Sequence, residues 1–173
     1  MNIYLFPTEL EAARFRELRP EARVIISGVG LAATAATLAT LSREGSLTSY
    51  GVVLAGLAGA YDDRVAVGEV VEVTKECCSE LPERFRRSYT VTPATHLRTV
   101  SSCSVHRGGG DGLGAEIENM EGAALFAMAE ALGIDVCEVR AISNRVGEPF
   151  AKWRVEEALG ALAKALIPID DEE

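Results

Sequence analysis

The chain has 173 residues, a formal net charge of −9, 48% hydrophobic residues and 25% charged residues. This length supports one domain, residues 1–173, with a substantial core. The negative charge argues against a nucleic-acid or anionic-membrane partner, because phosphate groups are bound by clustered Lys and Arg. The densest basic group, Arg84 with Arg86 and Arg87, lies among acidic residues and is typical of a solvated surface.

No apolar run is long enough to cross a membrane, and no signal-peptide pattern is present, so we expect a cytoplasmic protein. The four cysteines, at positions 77, 78, 103 and 137, show no CxxC spacing typical of a zinc site. Reduced thiols fit a cytoplasmic location. We therefore expect neither a metal nor a cofactor.

The first strand is predicted at residues 2–6, and Thr8 begins the helix that follows. Thr8 and Glu11 have the spacing of a capping box, in which the carboxylate bonds back to the backbone of the cap residue. Glu11 therefore has two interpretations that the pattern leaves open. It is either a structural partner of Thr8 or a functional carboxylate at the mouth of the first strand–helix turn.

A second strand is predicted at residues 23–27, and Gly28 and Gly30 lead from it into an alanine-rich helix at 31–41. A Gly-x-Gly turn between strand and helix can bind an anion through backbone N–H groups. The dinucleotide-binding fingerprint is incomplete, because no strand ending in an acidic residue follows. A tight turn is therefore the favoured interpretation.

The third strand, at residues 51–55, is almost wholly apolar, as in a sheet covered on both faces. The small residues at 56–60 permit close approach of a backbone or a ligand. Residues 69–74 alternate as a further strand, and 97–105 alternate weakly. Between these two strands, residues 77–96 lack periodicity and are predicted to form a loop.

The glycine run at residues 108–112 is predicted to be a mobile linker. A final amphipathic helix is predicted at 153–166, with Trp153 on its apolar face, and the acidic tail at 170–173 is expected to fray. Strands alternate with helices along the chain. The predicted fold class is therefore α/β, a three-layer α/β/α sandwich with a mixed, mostly parallel central sheet.

The stretch ENMEGAALFAMAEALGIDVCEVRAISNRV is the most informative part of the chain. Asn119 is a suitable N-cap for an apolar helix at 120–132, and a strand is predicted at 134–142. Glu121 then lies at a helix N-terminus, where the helix dipole favours negative charge. Asn144 falls just past the strand's C-terminal end, where open α/β sheets bind ligands.

Five motifs in this order resemble the purine nucleoside phosphorylase/nucleosidase superfamily: SGVG at 27–30, GLAG at 56–59, VGEVVEV at 67–73, NMEG at 119–122 and RAISN at 140–144. The similarity is greatest to the hydrolytic branch, the methylthioadenosine/S-adenosylhomocysteine nucleosidases and the futalosine hydrolases. It extends over most of the chain except residues 77–115, which look shortened. The resemblance implies a phosphorylase/hydrolase-like fold and a homodimer.

The resemblance also implies roles for individual residues. Glu11 corresponds to the base that activates the attacking water, and Met120 and Glu121 correspond to the ribose-binding pair. Gly59 corresponds to a backbone contact near the sugar or the base, and Val105 falls loosely at the base-contacting position. These residues would together bind a nucleoside.

Asn144 stands where adenine-specific nucleosidases carry an aspartate that protonates the leaving base. An amide offers N–H donors and a carbonyl acceptor but no acidic proton, which suits a 6-oxopurine better than adenine. The predicted function is hydrolysis of the N-ribosidic bond of a purine nucleoside, with futalosine, of menaquinone biosynthesis, as the favoured substrate. The alternatives are a methylthioadenosine/S-adenosylhomocysteine nucleosidase, a purine nucleoside phosphorylase and a non-catalytic nucleoside-binding protein.

Phosphorolysis requires a cationic site around the glycine turns, and the segments 6–11, 28–40 and 56–61 contain no basic residue. Water is therefore the predicted nucleophile. His96 and His106 are expected to be surface residues. Phe150 and Trp153 are aromatic candidates for lining a pocket, although core packing is the favoured interpretation of Trp153.

Overall fold

The structure is a computed structural model that describes residues 2–47 and 51–170. Part of the predicted acidic tail, residues 171–173, therefore lies outside the described residues. Strands and helices alternate in the order β1 (Asn2–Phe6), α1 (Glu9–Leu18), β2 (Arg23–Ile26), α2 (Leu31–Arg43), β3 (Gly51–Ala60), β4 (Val70–Cys78), β5 (Ser88–Thr90), β6 (Arg98–Ser104), β7 (Ile117–Asn119), α3 (Gly122–Leu132), β8 (Val136–Arg145) and α4 (Val155–Leu166).

The strands form one mixed sheet that curls back on itself at β3. Its order is β2-β1-β3-β7-β6-β4-β5, and β8 pairs with both β3 and β4. β3 is parallel to β1 and β8 along most of its length, and it pairs antiparallel with β7 at its C-terminal end. The path from β8 through β4, β6 and β7 therefore returns to β3 and closes one end of the sheet.

Helices cover the sheet on two sides. α2 and α3 pack against each other on one side, where Leu38 and Phe126 join the buried core. α1 and α4 pack on the other side, where Phe15 and Leu162 join a second buried cluster. This arrangement confirms the predicted three-layer α/β fold with a mixed sheet. The last helix is amphipathic as predicted, and its apolar residues Ala158, Leu159, Leu162 and Leu166 are buried.

The strands β3 and β8 extend further than predicted. β3 continues through the small residues at 56–60 because they pair with β8. A register shift after Ala58 leaves Ser143 as an extra residue in β8, and such a bulge lets a strand continue while it re-aims a side chain. Asn144 consequently lies within β8, and its predicted position just past the strand was wrong.

The start of the apolar helix also differs from the prediction. α3 begins at Gly122, Glu121 is its N-cap residue, and Asn119 ends β7. The Asn119 side chain still binds the helix entry, because its Oδ1 accepts from the backbone N–H groups of Glu121 and Gly122, each at 2.7 Å. Asn119 therefore forms the turn that leads into the helix but is not its N-cap.

The segment predicted as a loop at 77–96 is partly a strand. β4 runs through Cys78, and the three residues of β5 pair with it in antiparallel register. An edge strand of three residues is too short to show a period of two. The basic residues Arg84, Arg86 and Arg87 are exposed in this segment, as expected.

All four cysteines are free. Among the described residues, no helix has the length and apolar character needed to cross a membrane.

Candidate functional site

A cavity of about 350 Å³ opens where the C-terminal ends of β3, β7 and β8 meet the turns that follow β1 and β6. All the residues that the sequence singled out for catalysis or substrate binding line it: Glu11, Gly59, Val105, Met120, Glu121 and Asn144. The curl of the sheet explains this convergence, because it brings the ends of strands that are distant in the sequence to one edge.

Glu11 lies in the first turn of α1, and its carboxylate is held from two sides. The Thr8 hydroxyl donates to Oε2 at 2.7 Å, and the Leu57 backbone N–H donates to Oε1 at 3.0 Å. Thr8 also accepts from the Glu11 N–H, so it caps α1 as predicted. The carboxylate is bonded to the Thr8 side chain and to β3, not to the Thr8 backbone, and it remains at the cavity wall.

Glu121 is 3% exposed and is held by groups distant in the sequence. The Gly30 backbone N–H donates to Oε1 at 2.9 Å, and the Arg140 guanidinium donates to Oε2 at 3.2 Å. Gly30 adopts a φ of 92°, a conformation open to glycine, which turns its N–H toward the carboxylate. The Gly-x-Gly turn thus binds an anion, and that anion is a side chain of the protein itself.

Arg140 is the main residue that sequence reasoning missed. It is completely buried, and it donates to Glu138 at 2.8 Å, to Asn119 Oδ1 at 3.0 Å and to the Leu57 carbonyl at 3.4 Å, in addition to Glu121. An arginine two residues after a glutamate in a strand of mainly apolar residues was the signal that could have revealed it, since a buried charge requires partners.

Arg140 also corrects the inference that no basic group lies near the glycine turns. A Cβ at Gly56 would lie 2.7 Å from Arg140 Nη1 and 2.9 Å from Glu11 Oε1. The guanidinium is therefore next to the second glycine turn, although its N–H groups are committed to protein acceptors. The segments around the glycine turns contain no basic residue of their own, because β8 brings this charge from more than 80 residues away in the sequence.

Two more carboxyl groups, those of Glu76 and Glu138, are fully buried, and Glu138 is paired with Arg140. Burial, followed by the charge of Glu138, raises the pKa of Glu76 well above its usual range. Burial also raises the pKa of Glu138, although Arg140 opposes this shift. Glu138 Oε2 is buried and finds no hydrogen-bond partner among the described residues, and a proton on the neighbouring carboxyl would provide one.

Asn144 is 3% exposed, and its amide is oriented by its neighbours. The Ser143 hydroxyl donates to Oδ1 at 2.8 Å, and Nδ2 donates to the Arg145 carbonyl at 2.9 Å. These two contacts set which end of the amide is the donor, and they leave a second N–H on Nδ2 and a second lone pair on Oδ1.

Glu118 is a second residue that the sequence reasoning did not single out, and it too lines the cavity. Its carboxylate accepts from the Gly109 backbone N–H at 3.0 Å and 3.2 Å and from the Tyr61 hydroxyl at 3.1 Å. Burial raises the pKa of Glu118, and these two donors oppose the shift. The glycine run predicted as a plain linker therefore contributes Gly108 to the cavity wall and Gly109 to this contact.

Aromatic side chains border the cavity, whereas both histidines lie elsewhere. Phe150 and Trp153 line the cavity with their ring centres 5.2 Å apart, so the core interpretation of Trp153 was wrong. It precedes α4 and is partly exposed, because the helix begins two residues later than predicted. His96 and His106 are exposed, as expected, and are not among the cavity residues.

Residues 111–169 match the family model described as the Phosphorylase superfamily. Over 54 residues the chain is 52% identical to the futalosine hydrolase of Thermus thermophilus and 48% identical to that of Streptomyces coelicolor. Each match covers 31% of this chain, and the chain matches only about a quarter of the length of each relative, 24% and 23%.

Solved structures match over nearly the whole chain. The 5′-methylthioadenosine/S-adenosylhomocysteine nucleosidase of Helicobacter pylori has a TM-score of 0.85 at 14% identity, covering 98% of this chain and 97% of its own. The futalosine hydrolase of Helicobacter pylori has the same TM-score, identity and coverage. The resemblance seen in the sequence motifs is thus confirmed by the family model and by the fold.

Proposed function

We propose that the protein is a nucleoside hydrolase that cleaves the N-ribosidic bond of a purine nucleoside, with a 6-oxopurine nucleoside such as futalosine as substrate. The observation that carries this proposal is the convergence of Glu11, Glu121 and Asn144 on one cavity of about 350 Å³. The short but strong matches to two futalosine hydrolases support the choice of substrate.

The carboxylates of Glu11 and Glu121 match what cleavage at the sugar requires. Cleavage of a glycosidic bond passes through a cationic, oxocarbenium-like sugar, so the site requires a base for water and negative charge near the ring. Glu11, held by Thr8 and Leu57, activates the water. Glu121, held by Gly30 and Arg140, accepts hydrogen bonds from the sugar hydroxyls, and Met120 packs against the ribose.

The Asn144 amide can stabilise the leaving base. Its free N–H donates to N7 or O6 of a 6-oxopurine, where negative charge develops as the bond breaks. Gly59 lies beside it in register on β3, and Val105 lies in the wall after β6. Adenine has an exocyclic donor in place of O6 and matches this amide less well.

Water is the nucleophile in this proposal. Arg140 is the cation beside the glycine turns, and it already donates to Glu138, Glu121, Asn119 and Leu57. The Gly30 N–H is occupied by Glu121. A phosphate ion would therefore have to displace internal carboxylates, at the cost of leaving buried groups unpaired.

Product analysis tests the proposal. The protein is incubated with futalosine, inosine, adenosine and methylthioadenosine, with and without inorganic phosphate, and products are separated by chromatography. We expect free hypoxanthine and free sugar at rates independent of phosphate, with adenine released more slowly. Glu11→Gln lowers kcat by about 10²- to 10⁴-fold, whereas Glu17→Gln, an exposed carboxylate on the same helix paired with Arg14, leaves it unchanged.

Three outcomes would contradict the proposal. A sugar 1-phosphate product would indicate a phosphorylase, and faster release of adenine would indicate a methylthioadenosine/S-adenosylhomocysteine nucleosidase. Thermal stabilisation by nucleosides without any turnover would indicate a binding protein. The homodimer and the cytoplasmic location remain predictions from the family resemblance and from composition.

A further inference from the structure

Two of the four cysteines lie side by side in the sheet. Cys77 on β4 is in register with Cys103 on β6, and these two strands are parallel neighbours. Neighbouring strands in a sheet are about 4.8 Å apart. A disulfide requires its two Cα atoms to be about 4.4–6.8 Å apart, so this register places the two cysteines within bonding distance.

The side chains of both cysteines point to the same face of the sheet. Successive residues of a strand alternate between the two faces. Glu76 and Ser104, which are the sequence neighbours of the pair, meet on one face, where the Ser104 hydroxyl donates to the Glu76 carboxylate at 2.9 Å. Cys77 and Cys103 therefore share the other face, and Cys77 packs there against the buried cluster that contains Cys103.

The two thiols also interact directly. Their hydrogen bond raises the pKa of Cys77, and burial adds to that shift. The same hydrogen bond lowers the pKa of Cys103 to about 6, although burial opposes the shift, and Ser79 supplies further donors. One sulfur of the pair is therefore readily ionised while the other retains its proton, and the thiolate is the reactive form of cysteine.

A second cavity, of about 190 Å³, gives small molecules access to the pair. Cys77 lines this cavity and is partly exposed, whereas Cys103 is completely buried. Polar residues contribute to the cavity wall, among them Lys75, Arg86 and Ser88. A small polar oxidant such as hydrogen peroxide can enter a cavity of this kind, and Cys77 is the sulfur that it meets first.

We propose that Cys77 and Cys103 form a redox-active pair that hydrogen peroxide converts to a disulfide. Cys77 passes its proton to Cys103, and its sulfur attacks one peroxide oxygen, so that the O–O bond breaks and Cys77 becomes a sulfenic acid. The departing hydroxide takes up the proton and leaves as water. The Cys103 thiolate then attacks the Cys77 sulfur and expels a second hydroxide, which solvent protonates. Two thiols and one peroxide yield one disulfide and two waters, and each sulfur loses one electron.

This site goes beyond the proposed nucleosidase reaction and requires no nucleoside. The other two cysteines are placed differently. Cys78 is in register with Ser104, so its side chain points to the face away from the pair. Cys137 lies on β8, where its thiol donates to Glu72 Oε1 at 3.7 Å. Cys78 and Cys137 are therefore the matched control positions.

Peptide mapping tests the proposal. The folded protein is treated with hydrogen peroxide, the remaining thiols are alkylated, and trypsin is added without a reductant. Trypsin releases Cys77 and Cys103 in separate peptides, residues 76–84 and 99–107, because each peptide follows and ends with Lys or Arg. We expect mass spectrometry to find these two peptides joined, and dithiothreitol to separate them.

Serine variants identify the bonded sulfurs. Cys78→Ser and Cys137→Ser retain the joined peptides, because each removes a sulfur outside the pair. Cys77→Ser loses them, at a partly exposed position where serine replaces the thiol with little change in volume. Loss of the joined peptides in Cys78→Ser, or their retention in Cys77→Ser, would overturn the proposal. A link between two copies of the chain, or oxidation of single cysteines without a link, would also overturn it.

Thermal unfolding tests whether the native register already places the sulfurs for bonding. A disulfide restricts the unfolded chain between residues 77 and 103, so we expect the oxidised protein to melt about 3–10 °C higher than the reduced protein. Cys77→Ser shows no such rise after the same treatment, and the melting temperature of this variant before treatment confirms that it is folded. A joined protein that melts at a lower temperature would show that the strands must move to form the bond, which would contradict the proposal.

Discussion

Arg140 is the residue on which the charges around the cavity depend. Its guanidinium bonds Glu121 and Glu138 and touches the β3 carbonyl next to the Glu11 contact. The ion pair with Glu121, together with the Gly30 N–H, holds the carboxylate proposed for the ribose, and the ion pair with Glu138 holds the guanidinium itself. Arginine can do this because its planar fork of five donors reaches several acceptors at once.

Asn144 provides the prediction at the residue scale. Asn144→Asp replaces the N–H that now donates to the Arg145 carbonyl, and an oxygen in that place favours the protonated acid. A protonated carboxyl can give its proton to a leaving adenine. We expect the inosine-to-adenosine ratio of kcat/KM to fall at least about ten-fold in Asn144→Asp.

The measurement is a steady-state comparison of the two nucleosides with the wild type and the variant at one pH. An unchanged ratio, or a shift toward inosine, would remove Asn144 from base recognition. The amide would then act only in closing the bulge at Ser143.

At the scale of elements, the start of α3 is constrained by the groups beneath it. A Cβ at Gly122 would overlap the carboxyl groups of both Glu76 and Glu138. The helix enters directly above these buried groups, with Glu121 as its cap residue and the Asn119 side chain beneath its first N–H groups. The NMEG motif therefore requires glycine for close packing, not for a special backbone conformation.

Gly122→Ala is predicted to destabilise the protein by about 1–3 kcal/mol, because an added methyl in a packed core forces neighbours to move. Gly160→Ala is the matched control. Gly160 lies inside α4, where a Cβ would meet nothing within 4 Å, so alanine there stabilises by up to about 1 kcal/mol through helix propensity.

Urea unfolding of the two variants measures both effects. Equal changes in the unfolding midpoint for Gly122→Ala and Gly160→Ala would show that the space above the carboxyl pair is not tight.

At the scale of the whole molecule, the closed sheet encloses two carboxyl groups, and their burial favours a proton on one of them. Glu76 on β4 and Glu138 on β8 are fully buried, and Glu76 also accepts from Asn119 Nδ2 and from the Ser104 hydroxyl. The pKa of each carboxyl is raised, first by burial. The stability that depends on the protonated form is therefore fully present below the ordinary carboxyl pKa and is lost as pH rises through the raised pKa.

We predict that the free energy of unfolding of the wild type falls by up to about 1.4 kcal/mol per pH unit across that window, as expected for one proton. Glu76→Gln removes the titrating group and flattens this dependence. Glu130→Gln, an exposed carboxylate on α3 that pairs with Arg87, keeps the wild-type slope. Urea unfolding between pH 5 and pH 9 measures how the free energy of unfolding changes with pH. Equal pH dependences in all three proteins would refute a proton held between Glu76 and Glu138.

A structural feature could be predicted from the sequence when the residues that form it are close together in the chain. The Thr8 cap of α1 and the apolar spacing within α4 are local patterns of a few residues, and both were predicted correctly, except that Trp153 lies before the helix. The fold class was also predicted correctly, from the alternation of strands and helices along the chain. Strand ends were less predictable, because β3 and β8 continue only where each finds the other as a partner.

The sequence by itself determined which chemical groups are available: two acids and an amide, each within a recognisable motif. Only the tertiary structure decided what holds them. Glu121 is bonded by Gly30, 91 residues away, and Arg140 reaches Leu57 from a distance of 83 residues. Gly59 is in register with both Glu118 and Asn144 because β7 and β8 pair with β3 on its two edges. Contacts of this kind leave no local pattern, since they arise from strand pairing between segments that the chain keeps far apart.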